Sequence, residues 1–347
     1  MTEPAGSPVL FTVESGVGRI TLNRPRAINA LDHEMVALIT PVLAGWASDD
    51  RVSVVVLDGA GDRGFCSGGD IKAIHADAVA GTDNAHDYWR DEYRLDVALA
   101  RFGKPVVALM DGITMGGGVG LGGHVSHRVV TERSMIGMPE VNIGLIPDVG
   151  GTYLLAAAPG ELGLHLGLTA GRMNGADAIL AGFADHYVLA ERLPELLVKL
   201  TELPVDEAIA AVAEPAPVSA LADDQAWIDD CYARGDAEQI IKQLRANGSG
   251  GAVKAADAIE AASPTSVVAT LRAVRQARER QLSLEQAINV EYGLCCAALH
   301  RPDLAEGIRA QVIDKDRNPT WSPAALAEVG DLDDWFAPAT DLPFPNA

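Results

Sequence analysis

A stretch of twelve residues in the middle of the chain, GITMGGGVGLGG (Gly112–Gly123), contains seven glycines. It follows KPVVALMDG, a continuous apolar run typical of a strand that is buried on both faces. A second run of this kind, VSVVVLDG (52–59), leads into another glycine-rich loop, GAGDRGFCSGGDIKAI (59–74). A helical pattern follows each loop. Alternating strands and helices predict an α/β layer with right-handed crossovers, in which both loops leave the carboxyl edge of one sheet.

The composition restricts the class of ligand. The 347 residues carry a net charge of −21, which argues against non-specific binding to nucleic acid or to anionic membranes. An anionic ligand would therefore have to be bound by local cations and backbone amides. The longest apolar runs are too short to span a bilayer, and the N-terminus lacks the pattern of a signal peptide, so we expect a cytoplasmic protein.

Elsewhere the pattern predicts a hairpin over 10–22, one amphipathic helix within 23–46, and further strands in HRVVTE and SMIGMPE. Short helices are expected in GGTYLLAAA, LGLHLGL and GADAILAGFA. After residue 190 the chain becomes acidic and alanine-rich, which favours a solvated helical segment with little chemistry over 191–262. Residues 263–347 begin with Ser263 as an N-cap and Pro264 at the first helical position.

Two glycines are candidates for an oxyanion hole. The amides of Gly69, in CSGGD, and Gly117, in MGGGVG, could converge on a carbonyl oxygen that gains negative charge, and the missing Cβ atoms would admit a flat acyl group. Close packing of the following helices explains such glycines equally well. Phosphate binding is less attractive, because neither loop fits the P-loop pattern.

Two carboxylates lie in apolar surroundings in MPEVNIGLIPDVGGTYLL (138–155). Burial raises the pKa of a carboxyl group toward values that suit proton transfer, so Glu140 and Asp148 are candidates for acid-base catalysis. Asp148 also precedes two glycines and the start of a helix, and helix capping is the alternative role for it.

In order and spacing, LNRPRAINAL, FCSGGDIKAI, KPVVALMDGITMGGGVGL and MPEVNIGLIPDVGGTYLL resemble the motifs of the crotonase (enoyl-CoA hydratase/isomerase) superfamily. Within it the chain looks most like the 3-hydroxyisobutyryl-CoA hydrolases, through YWRDEYRLD, IPDVGG, SPTSVVATLR, EYGLCCAAL and EGIRAQVIDKDRNPTW. The resemblance covers residues 10–325, with a poor match over 190–262. It implies a crotonase-type α/β spiral of ββα units: a core over 1–190 that holds the acyl-CoA site, and a C-terminal helical region over 263–347 that closes this site.

The resemblance also implies roles for single residues. Gly69 and Gly117 would hold the thioester oxygen, Glu140 would be the acid-base glutamate, and Glu92 would reach the acyl pocket near a substrate hydroxyl. Hydratases carry a second glutamate where this sequence has Gly120, and the hydrolases share Asp148. These two differences favour cleavage of a thioester over addition of water to a double bond.

Contacts with coenzyme A are implied for the loop that passes its phosphates and for the loop around Gly69. The residues are Arg24, Arg26, Ala27, Ser67, Gly68, Asp70 and Ile71. For Arg26 a plain surface charge is the alternative. Cys66 is interpreted as a small loop residue rather than a nucleophile, because no nearby histidine could activate it. His124 and His127 could form half of a metal site, but a third ligand is missing from the pattern.

The leading hypothesis is an enzyme that hydrolyses 3-hydroxyisobutyryl-CoA or a close short-chain 3-hydroxyacyl-CoA, the thioester-cleaving step of valine breakdown. The alternatives are an enoyl-CoA hydratase or isomerase and, in a different class, a non-catalytic acyl-CoA-binding protein. No metal and no cofactor beyond the coenzyme A of the substrate is called for. Self-association as a trimer or hexamer is typical of the superfamily.

Overall fold

The computed structural model describes residues 6–337, 342 and 344. The start of the predicted core over 1–190 lies outside the described residues. So does the end of the predicted C-terminal region over 263–347, with most of FAPATDLPFPNA. The described strands are β1 Val9–Glu14, β2 Val17–Leu22, β3 Val54–Gly59, β4 Val106–Met110, β5 Ile113–Met115, β6 His127–Val130, β7 Met135–Gly137, β8 Arg172–Met173 and β9 His186–Tyr187.

Fifteen α-helices are described. They are α1 His33–Ala47, α2 Ile71–Ala80, α3 Asn84–Ala100, α4 Gly117–Gly123, α5 Gly151–Ala157, α6 Leu162–Thr169, α7 Gly175–Leu180, α8 Leu193–Lys199, α9 Val205–Ala210, α10 Ala220–Tyr232, α11 Ala237–Asn247, α12 Gly250–Ala261, α13 Pro264–Glu279, α14 Leu284–Leu299 and α15 Pro302–Ile308. A π-helical turn, Arg309–Ile313, continues α15. Single 3₁₀ turns are formed by Pro25–Ala27, Glu140–Ile143, Ala190–Arg192 and Leu326–Glu328.

A six-stranded sheet organises the first half of the chain, in the order β1-β2-β3-β4-β6-β9. The predicted hairpin is present: β1 and β2 pair antiparallel around a two-residue turn in which Ser15 and Gly16 both have positive φ. The other neighbours pair in parallel. β3 and β4 are the two apolar runs predicted as buried strands, and apart from the half-buried Gly59 all their residues are buried.

The second sheet, β5-β7-β8, lies beyond the glycine-rich loops and fixes their positions. Isolated bridges pair Gly64 with Gly112, and Cys66 with Thr114. The two glycine-rich loops therefore run side by side, as expected for segments that leave the same edge of the main sheet.

The helix predicted within 23–46 begins later than expected. Asp32 caps α1 by accepting a hydrogen bond from the amide of Met35 (2.9 Å), and residues before it form a 3₁₀ turn and a loop. The buried amide of Asn29 explains the loop: its oxygen accepts from the amide of Arg24, and its nitrogen donates to the carbonyls of Ala60 and Gly64. Asn29 thereby ties this loop to the one after β3.

The acidic segment is helical but less solvated than expected. Leu196 and Leu200 on α8, and Ile209 on α9, are buried against Val56, Val107 and other side chains on one face of the main sheet. The remaining helices pack on the larger core on the other face, where α13 and α14 contact α5 and α14 also contacts α3. Among the described residues, none of the helices combines the length and hydrophobicity that a membrane span requires.

Candidate active site

The amides predicted to form an oxyanion hole face one cavity. Neither Gly69 nor Gly117 donates its backbone N–H to another described residue. A methyl group built on Gly117 would lie 3.3 Å from the amide nitrogen of Gly69 and 2.5 Å from Oε1 of Glu92. The two amides are therefore neighbours, and the absence of a side chain keeps the space in front of them open.

Three carboxyl groups border the same cavity of about 250 Å³. Glu92 comes from α3, Glu140 from the 3₁₀ turn after β7, and Asp148 from the loop before α5, and each side chain is at least nine-tenths buried. The further lining residues are Ser67, Gly68, Gly69, Ile71, Ile74, Tyr88, Trp89, Met115, Gly116, Gly117, Pro139, Asn142, Ile143, Leu145, Val149, Arg172, Gln311 and Val312. The cavity thus combines two free donors, three acids and an apolar wall.

Burial and mutual repulsion set the proton affinities of these acids. Burial, and secondarily the charge of Asp148, raises the pKa of Glu92 and of Glu140 well above the usual range. Burial raises the pKa of Asp148 only to about 6, because the hydroxyl of Tyr93 donates a hydrogen bond to its Oδ2 (2.6 Å). Asp148 is therefore the first of the three acids to ionise as pH rises, and Glu92 and Glu140 keep their protons to higher pH.

The loop that carries Asp148 is held from both sides. Val149 and Gly150 have φ values of 54° and 78°, an unfavourable conformation for valine. Nε2 of the buried His124 donates to the carbonyl of Val149 (2.8 Å), and burial lowers the pKa of this imidazole to about 4. From α14, the carboxylate of Glu291 accepts from the amides of Gly150 (2.7 Å) and Thr152 (2.8 Å).

The position of the missing hydratase glutamate has no room for a side chain. A Cβ atom on Gly120 would lie 2.7 Å from the Cβ of Val149 and 2.8 Å from Oδ2 of Asp96. Asp96 is fully buried, and neither of its oxygens has a hydrogen-bond partner in the described structure. Asp96 of α3 thus fills the space beside α4 that a glutamate at position 120 would need.

The residues predicted to contact coenzyme A are near one another but differ in whether their side chains already have partners within the protein. Arg24 is already paired with Asp70 (2.9 Å) and Asp32 (3.0 Å). The side chain of Arg26 is exposed, and its backbone carbonyl accepts from Arg63. The hydroxyl of Ser67 donates to the carbonyl of Ala27 (3.0 Å). Gly68, with φ of 105°, and Ile71 border the acyl cavity.

The remaining sequence candidates have structural partners. Cys66 is buried, and burial raises the pKa of its thiol to about 12, which leaves it unreactive at neutral pH. His124 and His127 have different partners. His127 pairs with Asp206 (3.1 Å), whereas His124 contacts the carbonyl of Val149.

Three residues at the site were not identified from the sequence: Tyr93, Asp96 and Glu291. For Glu291 a signal exists, because a helical period through EQAINVEYGLCCAAL places it on the same face as Ile288, Cys295 and Ala298. A charged residue in an apolar stripe indicates a buried partner. Asp96 follows Glu92 by one helical turn, but the segment 84–100 was not predicted as a helix.

The paired loops, the free amides and the buried acids define a member of a known enzyme family. The chain belongs to the enoyl-CoA hydratase/isomerase family, whose model matches residues 17–335. The match continues through 190–262, where the sequence motifs showed little resemblance.

The curated relatives include proteins named 3-hydroxyisobutyryl-CoA hydrolase, mitochondrial. That of Gallus gallus is 41% identical over 347 residues, covering 96% of this chain and 90% of the relative. That of Rattus norvegicus is 42% identical over 336 residues, covering 94% and 87%, respectively.

The similar solved structures carry other names. A carnitinyl-CoA dehydratase from Mycobacterium thermoresistibile has a TM-score of 0.95 and 49% identity, covering 99% of this chain and 100% of that one. An enoyl-CoA hydratase from Rhodobacter sphaeroides 2.4.1 has a TM-score of 0.90 and 43% identity, covering 96% and 98%. The predicted family and the crotonase-type fold with a helical C-terminal region are confirmed.

Proposed function

We propose that the protein hydrolyses the thioester of a short-chain 3-hydroxyacyl-CoA, with 3-hydroxyisobutyryl-CoA as the leading substrate. The names of the curated relatives support this proposal. The structural observation that carries it is the combination of two free amides with Glu140 and Asp148 around one cavity, together with a glycine at position 120 that leaves no room for a second hydratase glutamate.

The thioester oxygen accepts hydrogen bonds from the amides of Gly69 and Gly117, which stabilise the negative charge that develops as the carbonyl carbon is attacked. Glu92 lies beside Gly117 and binds the hydroxyl of the acyl group. Coenzyme A contacts the residues predicted for it in the loop after β2 and in the loop around Gly69, with Arg26 at the surface.

The proton distribution suits hydrolysis. Water adds to the carbonyl carbon while the ionised Asp148 accepts one of its protons, and the C–S bond then breaks as Glu140 donates its proton to the departing thiolate. One carboxylate and one carboxylic acid are required, and the lower pKa of Asp148 favours a proton on Glu140 over one on Asp148. In a covalent variant Glu140 first passes its proton to Asp148 and then attacks the carbonyl carbon itself. The C–S bond breaks, the departing thiolate takes the proton from Asp148, and water opens the resulting anhydride to release the acid and restore Glu140.

The function is tested by supplying 3-hydroxyisobutyryl-CoA, shorter and longer 3-hydroxyacyl-CoA esters, and an unsaturated enoyl-CoA side by side. Release of free thiol from the hydroxy esters supports hydrolysis. Loss of the conjugated enoyl absorbance without thiol release would instead identify a hydratase, the activity in the names of the similar structures. Glu140→Gln and Asp148→Asn should each abolish turnover and retain coenzyme A binding, whereas a non-catalytic binding protein would lose nothing measurable.

The two routes are separated by one turnover in heavy-oxygen water, combined with hydroxylamine as a trap. Label or a hydroxamate on Glu140 indicates the anhydride. If neither is found, direct attack by water is the route.

Self-association as a trimer or hexamer, a cytoplasmic location, and the absence of a resident metal or cofactor stay predictions. The names of the curated relatives include the word mitochondrial, and light scattering coupled to gel filtration measures the assembly.

A further inference from the structure

We infer that Glu291 on α14 is a positioning residue for the catalytic loop, and that α14 thereby influences the turnover rate without lining the acyl cavity. The inference rests on the proposed function, because Asp148 is taken as the proton acceptor. Glu291 lies outside the lining of the acyl cavity, and its side chain is completely buried.

The contacts show what Glu291 holds. Its Oε2 accepts from the amide of Gly150, and its Oε1 accepts from both the amide and the hydroxyl of Thr152. Both oxygens are therefore used as acceptors, and the bonds bracket Gly151, which itself donates to the carbonyl of Asp148 (2.6 Å). One side chain thus fixes the backbone of the turn that begins at Asp148. Burial raises the pKa of Glu291 to about 8, and the three donors that face its oxygens oppose this rise and favour the ionised form.

The loop needs such a support. Val149 and Gly150 both have positive φ, and a strained backbone of this kind persists only when its surroundings enforce it. His124 supports the loop from the end of α4, and Tyr93 orients the Asp148 carboxylate from α3. Among the described residues, Glu291 is the acceptor for the amides of Gly150 and Thr152. Without it, the two N–H groups would be buried without an acceptor.

Glu291→Gln is a sharp test. Whichever way the amide is oriented, its NH₂ group faces a backbone donor, so one of the contacts becomes repulsive while the volume is unchanged. A displacement of the loop by about 1 Å is sufficient to lower kcat about 100-fold. We expect that loss in kcat, with a KM for the acyl-CoA within about threefold of wild type, since the amides of Gly69 and Gly117 are untouched.

Three comparisons complete the design. Glu279→Gln makes the same chemical change at an exposed position near the end of α13 and should keep wild-type kinetics. Thr152→Ser keeps the hydroxyl donor and should stay near wild type, whereas Thr152→Val removes it and should lower kcat about tenfold. Amide hydrogen exchange at Gly150 and Thr152 should accelerate in Glu291→Gln, and exchange in α1 should not.

The results separate the two proposals. If wild type releases no thiol, the proposed function fails, while hydrogen exchange still reports whether Glu291 holds the loop. A folded Glu291→Gln variant with wild-type kcat and unchanged exchange at residues 150 and 152 would overturn the inference. Equal losses in Thr152→Ser and Thr152→Val would also overturn it; if Glu291→Gln does not fold, this threonine pair decides.

Discussion

Buried carboxyl groups differ in how the protein stabilises them. Glu291 has three donors, and Asp148 has the hydroxyl of Tyr93, but Asp96 has no hydrogen-bond partner in the described structure. Burial raises the pKa of Asp96 well above its usual range, and Glu92, Asp148 and Glu291 repel its charge further. Asp96 therefore keeps its proton to higher pH in the folded protein than in the unfolded chain.

We predict that Asp96→Asn stabilises the protein, and that the gain grows with pH. Above the ordinary pKa of aspartate the unfolded chain releases this proton and the folded protein keeps it, so wild-type stability falls as pH rises. Asparagine has the same shape and cannot ionise, so this loss disappears. The difference in melting temperature between variant and wild type should be small at pH 4 and larger at pH 8.

The matched control is Asp87→Asn, an exposed position on the same helix that pairs with Arg90 (2.6 Å). Its effect on stability should be at most about 1 kcal/mol. A gain from Asp96→Asn that is equal at both pH values would show that Asp96 is not the source of the pH dependence.

At the scale of single residues, the sequence predicted those whose chemistry follows from their side-chain type and their neighbours in the sequence. Glu140 and Asp148 lie in apolar motifs, and Gly69 and Gly117 lie in the glycine-rich stretches that follow buried strands; all four border the cavity. Tyr93 and Asp96 could not be found in the same way, because their roles depend on which side of a helix faces Asp148 and Gly120. That orientation is decided by packing between distant segments.

At the scale of elements, α3 does more than any other helix to shape the site. Glu92 and Asp96, one turn apart, face the start and the middle of α4, since substituents on Gly117 and Gly120 would meet them. Tyr93 turns toward Asp148 and lies 3.3 Å from the sulfur of Cys295 on α14. The helix therefore carries both an acid that borders the cavity and the donor that lowers the pKa of Asp148.

We predict that Tyr93→Phe shifts the acidic limb of the pH-rate profile to higher pH. The hydroxyl of Tyr93 stabilises the ionised form of Asp148, so its removal raises a pKa that is already about 6. Activity requires ionised Asp148 and is lost as pH falls through this value. Below pH 6 the variant should therefore lose more of its activity, relative to wild type, than it does at pH 8.

Tyr292→Phe serves as the control, because this neighbouring ring packs against Tyr93 at 6.2 Å between centroids and makes no contact with Asp148. Its pH-rate profile should match wild type. A Tyr93→Phe profile that keeps its shape while the rate falls uniformly would mean that Tyr93 acts only through packing.

Elements with a strong local pattern were predicted well, and those without one were not. The β1–β2 hairpin and the buried strands β3 and β4 follow from turn residues and continuous apolar runs. The start of α1 was placed too early, because Asn29 bonds to a loop more than thirty residues away and holds the preceding segment out of the helix. Helix α3 was not identified, because two of its acids, Glu92 and Asp96, are buried on the face where apolar residues are expected.

At the scale of the whole molecule, net charge opposes the ligand. The chain carries −21, and coenzyme A is itself an anion. We predict that kcat/KM for acyl-CoA rises as ionic strength increases from about 0.02 M to about 0.2 M, because salt screens the repulsion that slows association.

A short thioester without the nucleotide is uncharged and provides the control, since its kcat/KM should not depend on salt. The opposite trend with acyl-CoA, a fall with salt, would show that local cations such as the exposed Arg26 outweigh the net charge during the encounter.

The hydrogen bonds between α14 and the loop after Asp148 also bear on how the protein is made. They join Glu291 to Gly150, which lies 141 positions earlier in the chain, and to Thr152, which lies 139 positions earlier. During synthesis from the N-terminus, both sheets and the acids that border the cavity leave the ribosome before Glu291 does. The side chain that holds the loop after Asp148 therefore emerges after the acids. A nascent chain that has exposed only the two sheets therefore contains Glu92, Glu140 and Asp148 but lacks the side chain that holds the loop after Asp148. If Asp148 acts as proposed, its loop is positioned only when α14 has been synthesised.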